Sequence, residues 1–407
     1  MGDFHQNGKI TTLHNLTDRP IADLDDELIG FSRQRLIGLV LPSLYSELQT
    51  PALENIVQEL VKVPYLNEII IGIDRADEKQ YRHALEYFGR LPQTHKVLWN
   101  DGPRLRAVDA KLAEHGLAPS HPGKGRNVWY CYGYALASGR ADAIALHDCD
   151  IKTYDRSMLA RLVYPVANPS FSFDFCKGYY SRITKTSLGG RVTRLLVTPL
   201  ILALKVVCGQ SEYLDFLHSF RYPLAGEFAL RRDVITDLRI PTDWGLEIGV
   251  LSEMHRNHSM NRICQADIAD WYDHKHQDLS AEDASQGLSK MSIDIAKAMY
   301  RKLAIQGQTF SLDKVRTVKA TYYRVALDFV ETFAADAAMN GLRYDRHSEE
   351  KAVELFASNV VQAGVEFLDN PMDTPFIPPW NRVISAMPDV HELLRDAVDQ
   401  DMQEFSS

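Results

Sequence analysis

The chain of 407 residues predicts an α/β fold, a mainly parallel sheet with helices on both faces, followed by a helical C-terminal region. Three observations carry this. From residue 35 to residue 148, short apolar runs alternate with segments of helical spacing, the pattern of strands joined by right-handed crossovers. After about residue 285 strand-like runs stop and long amphipathic segments take over. With 45% hydrophobic and 24% charged residues, the composition is that of an ordered globular protein, and the length exceeds one minimal core. The chain therefore divides into residues 1–30, a polar N-terminal extension, residues 31–285, the main unit, and residues 286–407, the helical region.

The elements follow in order. R-L-I-G-L-V-L-P at 35–42 is an apolar run closed by proline, a buried strand, and A-L-E-N-I-V-Q-E-L-V at 52–61 has helical spacing. L-N-E-I-I-I-G-I-D at 66–74 is a second strand ending in an aspartate. Helix 78–88, strand 95–99, helix 126–137 and strand 141–148 come next. Helices are expected at 293–303, 325–337 and 350–361, and a last one beyond the proline-rich break N-P-M-D-T-P-F-I-P-P-W at 370–380. In an open parallel sheet, ligands bind beyond the carboxyl ends of the strands.

A net charge of −9 gives no general attraction to nucleic acid or anionic lipid. The five cysteines, Cys131, Cys149, Cys176, Cys208 and Cys264, are odd in number and show no C-x-x-C spacing, as reduced thiols in a cytoplasmic protein do. The apolar stretch 195–208 is shorter than a membrane span and carries Pro199 and Lys205, so it reads as a buried or surface-docked helix. The helical tail offers a homodimer surface.

Several short motifs hold chemistry-bearing residues. A-I-A-L-H-D-C-D at 143–150 places Asp148 and Asp150 at the end of a strand, where side chains two apart share a face. Hard divalent cations such as Mg²⁺ take carboxylate oxygens and let substrate phosphates complete the shell. The same D-x-D spacing recurs at Asp23 and Asp25 and at Asp399 and Asp401 in polar surroundings, so the strand context carries the weight. H-P-G-K-G-R-N at 121–127 opens a helix, with glycines for close approach and Lys124 as a point charge for phosphate, although a plain turn fits the same residues. S-L-G-G-R-V-T-R at 187–194 repeats this logic with Gly190, the bidentate fork of Arg191 and the hydroxyl of Thr193. A surface salt bridge is the alternative for Arg191. Glu227, Asp243 and Glu247 are acids beside glycines in apolar frames, which are hard to bury without a partner. In D-W-Y-D-H-K-H at 270–276, a neutral imidazole can complete the shell of a cation held by Asp150, although an exposed, merely polar His-Lys-His fits the same residues.

Taken in order, P-G-K-G at 122–125, D-C-D at 148–150 and the late histidines resemble a GT-A glycosyltransferase. More narrowly, G-G-R-V-T at 189–193, P-L-A-G-E at 223–227, G-L-E-I-G at 245–249 and D-H-K-H resemble the glucosyl-3-phosphoglycerate synthases, over roughly residues 35–280. The resemblance implies a retaining transfer of glucose from a nucleotide sugar, UDP-glucose foremost, to the 2-hydroxyl of 3-phosphoglycerate, with Mg²⁺ or Mn²⁺. It implies that Pro42, Leu44, Lys124 and Asp148 bind the donor and that Asp150 and His274 ligate the metal. Gly190, Arg191, Thr193 and His276 would bind the acceptor, and Glu247 would act with Asp148 and Asp150 at the reacting groups. This chain departs from the pattern with Tyr45, Ser46 and Glu47 after the first strand, and with Arg75 where a small residue is usual. Mannosylglycerate synthases share the skeleton and are the competing reading. A sugar nucleotidyltransferase ranks lower, because residues 38–50 lack its glycine-rich loop.

Overall fold

The computed structural model describes residues 6, 8–119, 121–184, 186–273, 287–372 and 376–406. Its first half builds β1 (Thr11–Leu13), α1 (Ile21–Ser32), β2 (Ile37–Leu44), α2 (Pro51–Leu60), β3 (Glu68–Asp74), α3 (Glu78–Phe88), β4 (His95–Trp99), α4 (Pro103–Glu114), α5 (Lys124–Ser138) and β5 (Ala143–Leu146). Next come α6 (Arg156–Ala167), β6 (Phe175–Tyr180), α7 (Thr198–Cys208), α8 (Glu212–Ser219), β7 (Phe228–Arg231), α9 (Arg232–Asp237), α10 (Leu246–Asn257) and β8 (Ile263–Ala269). The last helices are α11 (Gly287–Ile305), α12 (Leu312–Met339), α13 (Arg346–Asp369), α14 (Trp380–Ala386) and α15 (Val390–Phe405).

All eight strands form one sheet in the order β1-β8-β6-β7-β5-β2-β3-β4. The sheet is mixed, because β7 lies antiparallel between β5 and β6 while the other pairings are parallel. Residues 11–13 of the polar extension supply its edge strand, parallel to β8.

Local chemistry explains the boundaries. Strands β2 and β3 are nearly continuous apolar runs, as strands covered on both faces must be. Thr50 caps α2 through Leu53 N with Pro51 at the first position, and Asp77 and Gln80 close a capping box on α3. The apolar stretch 195–208 opens with a π-helical turn at Thr193–Val197 and continues as α7, which packs on α12. Among the described residues no helix is long and apolar enough to cross a membrane.

Alternation along the strands sorts the core into two layers. Val40, Ile70, Leu98 and Leu146 face α5, α10 and the helices α11–α14, whereas Leu39, Ile71, Val97 and Ala145 face α1, α2, α3 and α6. The helical region thus shares its core with the sheet.

Candidate active site

The carboxyl ends of β2, β3, β5 and β6 open into a cavity of about 1740 Å³. Its far wall comes from α11, from the N-terminal turn of α13 and from Arg343 just before it. Pro42, Leu44, Asp74, Lys124, Asp148, Asp150, Gly190, Arg191 and Glu247 all line it.

Strand β5 stops at Leu146, so Asp148 and Asp150 sit in the turn beyond it and not on the strand itself. Their shared direction therefore comes from the turn, with Cys149 between them buried, and strand alternation plays no part. The turn brings Asp148 to Lys124, whose Nζ lies 2.6 Å from Asp148 Oδ1 and 3.2 Å from Glu247 Oε1. Burial works against the Lys124 charge, but Asp148 and Glu247 outweigh it and hold the ammonium above its ordinary value. Lys124 begins α5 and Glu247 lies in the first turn of α10, so two helix starts and one strand end converge. Gly125 allows that convergence: a Cβ there would come within 1.9 Å of the Pro241 carbonyl oxygen, so any side chain would push α5 away from the segment leading into α10.

Behind this cluster lies Glu227, wholly buried. Tyr180 donates to its Oε2 at 2.7 Å and Tyr272 to its Oε1 at 2.8 Å, and the two rings stack at 3.8 Å. Burial and then the neighbouring Asp148 charge raise its pKa against these hydrogen bonds. At the end of β3, burial lifts Asp74 to about 6 although Asn100 donates to it. Asp243, before α10, is likewise lifted to about 6 by burial and by Asp294.

At the opposite end, Gly190 and Arg191 reach the cavity, but the Arg191 fork is engaged. Its Nε lies 2.9 Å from Glu349 Oε1 and its Nη2 donates to Ser348 Oγ at 3.3 Å. Arg194 meets the other oxygen of the same carboxylate at 2.9 Å. Thr193 is buried in the π-helical turn, off the cavity wall, and among the described residues its Oγ1 has no hydrogen-bond partner. His274 and His276 lie outside the described residues.

Among the described residues no group of three or more His, Cys, Asp or Glu could hold a metal ion. The chemistry of the 148–150 turn nevertheless fits a hard divalent cation, because both of its carboxylates line one cavity.

Sequence reasoning passed over Tyr180, Tyr272 and Glu349 and gave no role to Arg182. Tyr272 lies within the segment 270–276 singled out for its histidines, and Arg182 follows the apolar strand β6. Glu349 has no such signal, since it is 158 residues away from Arg191 along the chain.

No family model matches the chain. It is 45% identical to the glucosyl-3-phosphoglycerate synthase of Persephonella marina, over 98% of this chain and 99% of that one. It is 38% identical to the enzyme of the same name from Methanococcoides burtonii, over 99% of each. Among solved structures, it resembles glucosyl-3-phosphoglycerate synthase from Mycobacterium tuberculosis in complex with Mg²⁺ and UDP, at 22% identity and a TM-score of 0.52, covering 72% of this chain and 87% of that one. A complex of the same enzyme with Mn²⁺, UDP-glucose and phosphoglyceric acid gives 21% identity and a TM-score of 0.53, covering 72% and 88%. These neighbours share the GT-A fold.

Proposed function

This chain belongs to the glucosyl-3-phosphoglycerate synthase family, and we propose from that premise that residues 121–150 hold the nucleotide sugar while residues 187–194 hold the acceptor. It is a metal-dependent glycosyltransferase that moves glucose from UDP-glucose to 3-phosphoglycerate. The observation that carries the assignment of residues is the Lys124–Asp148–Glu247 cluster, which lines the same cavity as Asp150 and Arg191.

In this reading Pro42 and Leu44 line the nucleoside end, and Asp150 with His274 would hold Mg²⁺ or Mn²⁺. When bound, that cation neutralises charge on the departing diphosphate. Lys124 supplies a further fixed positive charge beside the phosphates, already oriented by two carboxylates and so needing no reorganisation. Asp148 positions the donor and Glu247 orients the reacting hydroxyls, while Gly190, Arg191 and His276 place the acceptor so that its 2-hydroxyl meets the anomeric carbon; Thr193, buried off the cavity wall, supports the loop from behind. Glu227 is wholly buried and off the cavity wall, with both of its oxygens held by tyrosine hydroxyls, and is not the nucleophile in this reading. In this reading the transfer keeps the retention that the family resemblance implies and forms no glycosyl-enzyme, the leaving phosphate oxygen taking the proton of the acceptor hydroxyl on the same face of the sugar.

Residues 31–285 form the catalytic unit in this reading, and 286–407 close the acceptor end. The enzyme works in the cytoplasm as a homodimer through its helical region, with no nucleic-acid or membrane partner, as its acidic balance and the absence of a spanning helix among the described residues support. The test is a matrix of UDP- and GDP-glucose and -mannose against glycerate and 3-phosphoglycerate, with and without Mg²⁺. Turnover is expected with UDP-glucose, 3-phosphoglycerate and metal together, and turnover with glycerate alone would overturn the acceptor.

A further inference from the structure

Arg182 follows β6, is partly buried and lines the cavity. Its Nη1 donates to the Tyr222 hydroxyl at 3.3 Å, and its guanidinium carbon lies 5.4 Å from the centre of the Tyr272 ring. Among the described residues it forms no ion pair, in contrast to Arg191, which is bound to Glu349. A guanidinium set among tyrosine rings beside a ligand cavity keeps its fork available for a planar anion, and the apolar rings strengthen such a contact.

Its position between the two ends of the cavity says which anion. On one side the Arg182 carbonyl accepts from Gly189 N at 2.7 Å, and a Cβ on Gly190 would lie 3.1 Å from Arg182 Cβ. The stem of Arg182 therefore rests on the loop that takes the acceptor. On the other side, the Tyr272 ring beneath the guanidinium is hydrogen-bonded to Glu227, and the adjoining Gly226 abuts Asp148, where an added Cβ would meet Oδ2 at 2.2 Å. Arg182 thus bridges the acceptor loop and the donor carboxylates. In 3-phosphoglycerate the phosphate is on C3, the reacting hydroxyl on C2 and the carboxylate on C1. With the phosphate at Gly190 and Arg191 and the hydroxyl turned toward Asp148, the carboxylate, one bond from the reacting carbon, falls in the space between them.

We propose that Arg182 binds the C1 carboxylate of the acceptor and so sets the preference for a phosphorylated hydroxy acid over a phosphorylated alcohol. This rests on the placement of the acceptor against residues 187–194. The contact fixes the rotation of C2 about the phosphate anchor, which aims the hydroxyl at the donor. Arg182 is a specificity residue and takes no part in proton transfer.

The experiment measures dissociation constants of 3-phosphoglycerate and of glycerol 3-phosphate, which keeps the phosphate and the 2-hydroxyl but lacks the carboxylate. The full-length enzyme is used, saturated with UDP and Mg²⁺, as wild type, R182K and R182M. Wild type should favour 3-phosphoglycerate. R182M should weaken 3-phosphoglycerate by about 100-fold, as loss of a charge-assisted pair does, and glycerol 3-phosphate by less than about threefold. R182K should fall between, because an ammonium cannot pair with both oxygens in one plane. UDP affinity and melting temperature, unchanged across the series, show that the cavity is intact; if R182M fails that control, R182K alone decides by its loss of preference. Equal losses for the two acceptors, no loss, or a wild type without preference would overturn the inference. A wild type that binds neither acceptor would instead overturn the proposed reaction.

Discussion

Single residues show how tightly the site is fitted. Gly226→Ala would push against the Asp148 carboxylate, which lies 2.2 Å from the added Cβ position. Because the obstructed atom ends a flexible side chain, the fold should survive while Asp148 leaves Lys124. We expect kcat/KM to fall at least about tenfold, an energy of about 1.4 kcal/mol, with the melting temperature changed little; steady-state kinetics and a thermal melt check both. His147, one residue before Asp148, is wholly buried and edge-on to Tyr154, and among the described residues neither ring nitrogen has a hydrogen-bond partner. Burial pulls its pKa down to about 3. The folded protein thus holds a neutral imidazole that the unfolded chain protonates below about pH 6.5. The associated stability is complete above that pH and is lost as pH falls toward 3, about 2 kcal/mol of it by pH 5. Asp74 acts in the opposite sense, since a carboxyl lifted to about 6 is penalised in its charged form above that pH. His147→Phe isolates the first effect: denaturant midpoints at pH 5 and pH 7.5 should lie closer together in the variant than in wild type. Residue types were legible where chemistry needs them in short motifs, as Lys124 and Asp148 were. Glu349 was not, because nothing local in α13 distinguishes a carboxylate that pairs with two distant arginines from a solvated one.

Elements were legible where one period dominates. The largely apolar β2 and β3 and the capped α3 fall within a few residues of their expected limits. Strand β7 is four residues long, too short to show a period of its own, and its antiparallel insertion between β5 and β6 is a tertiary outcome of the long excursion through α7 and α8. Helix α6 carries Pro165 inside it, a residue that argues against helix in any local reading. Helix α15 packs on β4, α4 and α5, and α14 adds an aromatic tie to α5. Trp380 stacks on Trp129 of α5 at 4.1 Å, donates to the Trp129 carbonyl at 3.1 Å, and is buried to 1% exposure. Trp129 Nε1 in turn donates to the Pro378 carbonyl at 2.9 Å. Trp380→Ala should cost about 3–5 kcal/mol, as large aromatic deletions in a core do. The denaturant midpoint should drop accordingly, and UDP affinity in the folded protein should stay close to wild type.

At the scale of the whole molecule, the α/β plan with a helical region after it followed from where strand-like runs end, and that boundary is visible in sequence. The sharing of one hydrophobic layer between α5, α10 and α11–α14 was not, because amphipathic periodicity says which face is buried without saying against what. The same sharing explains why the cavity wall at Arg191 is built from both parts, with Arg191 in one and Glu349 in the other. The Trp129–Trp380 stack has one more consequence, for recombination between relatives. The Cβ position of Gly133 lies 1.9 Å from the Trp380 ring, so the small residue on α5 and the large one that opens α14 are matched as lock and key. A chimaera that imports residues 287–406 from a relative with a different residue at 380 inherits a mismatch in α5, and crossover points that keep positions 129, 133 and 380 from one parent are the ones that should yield folded hybrids.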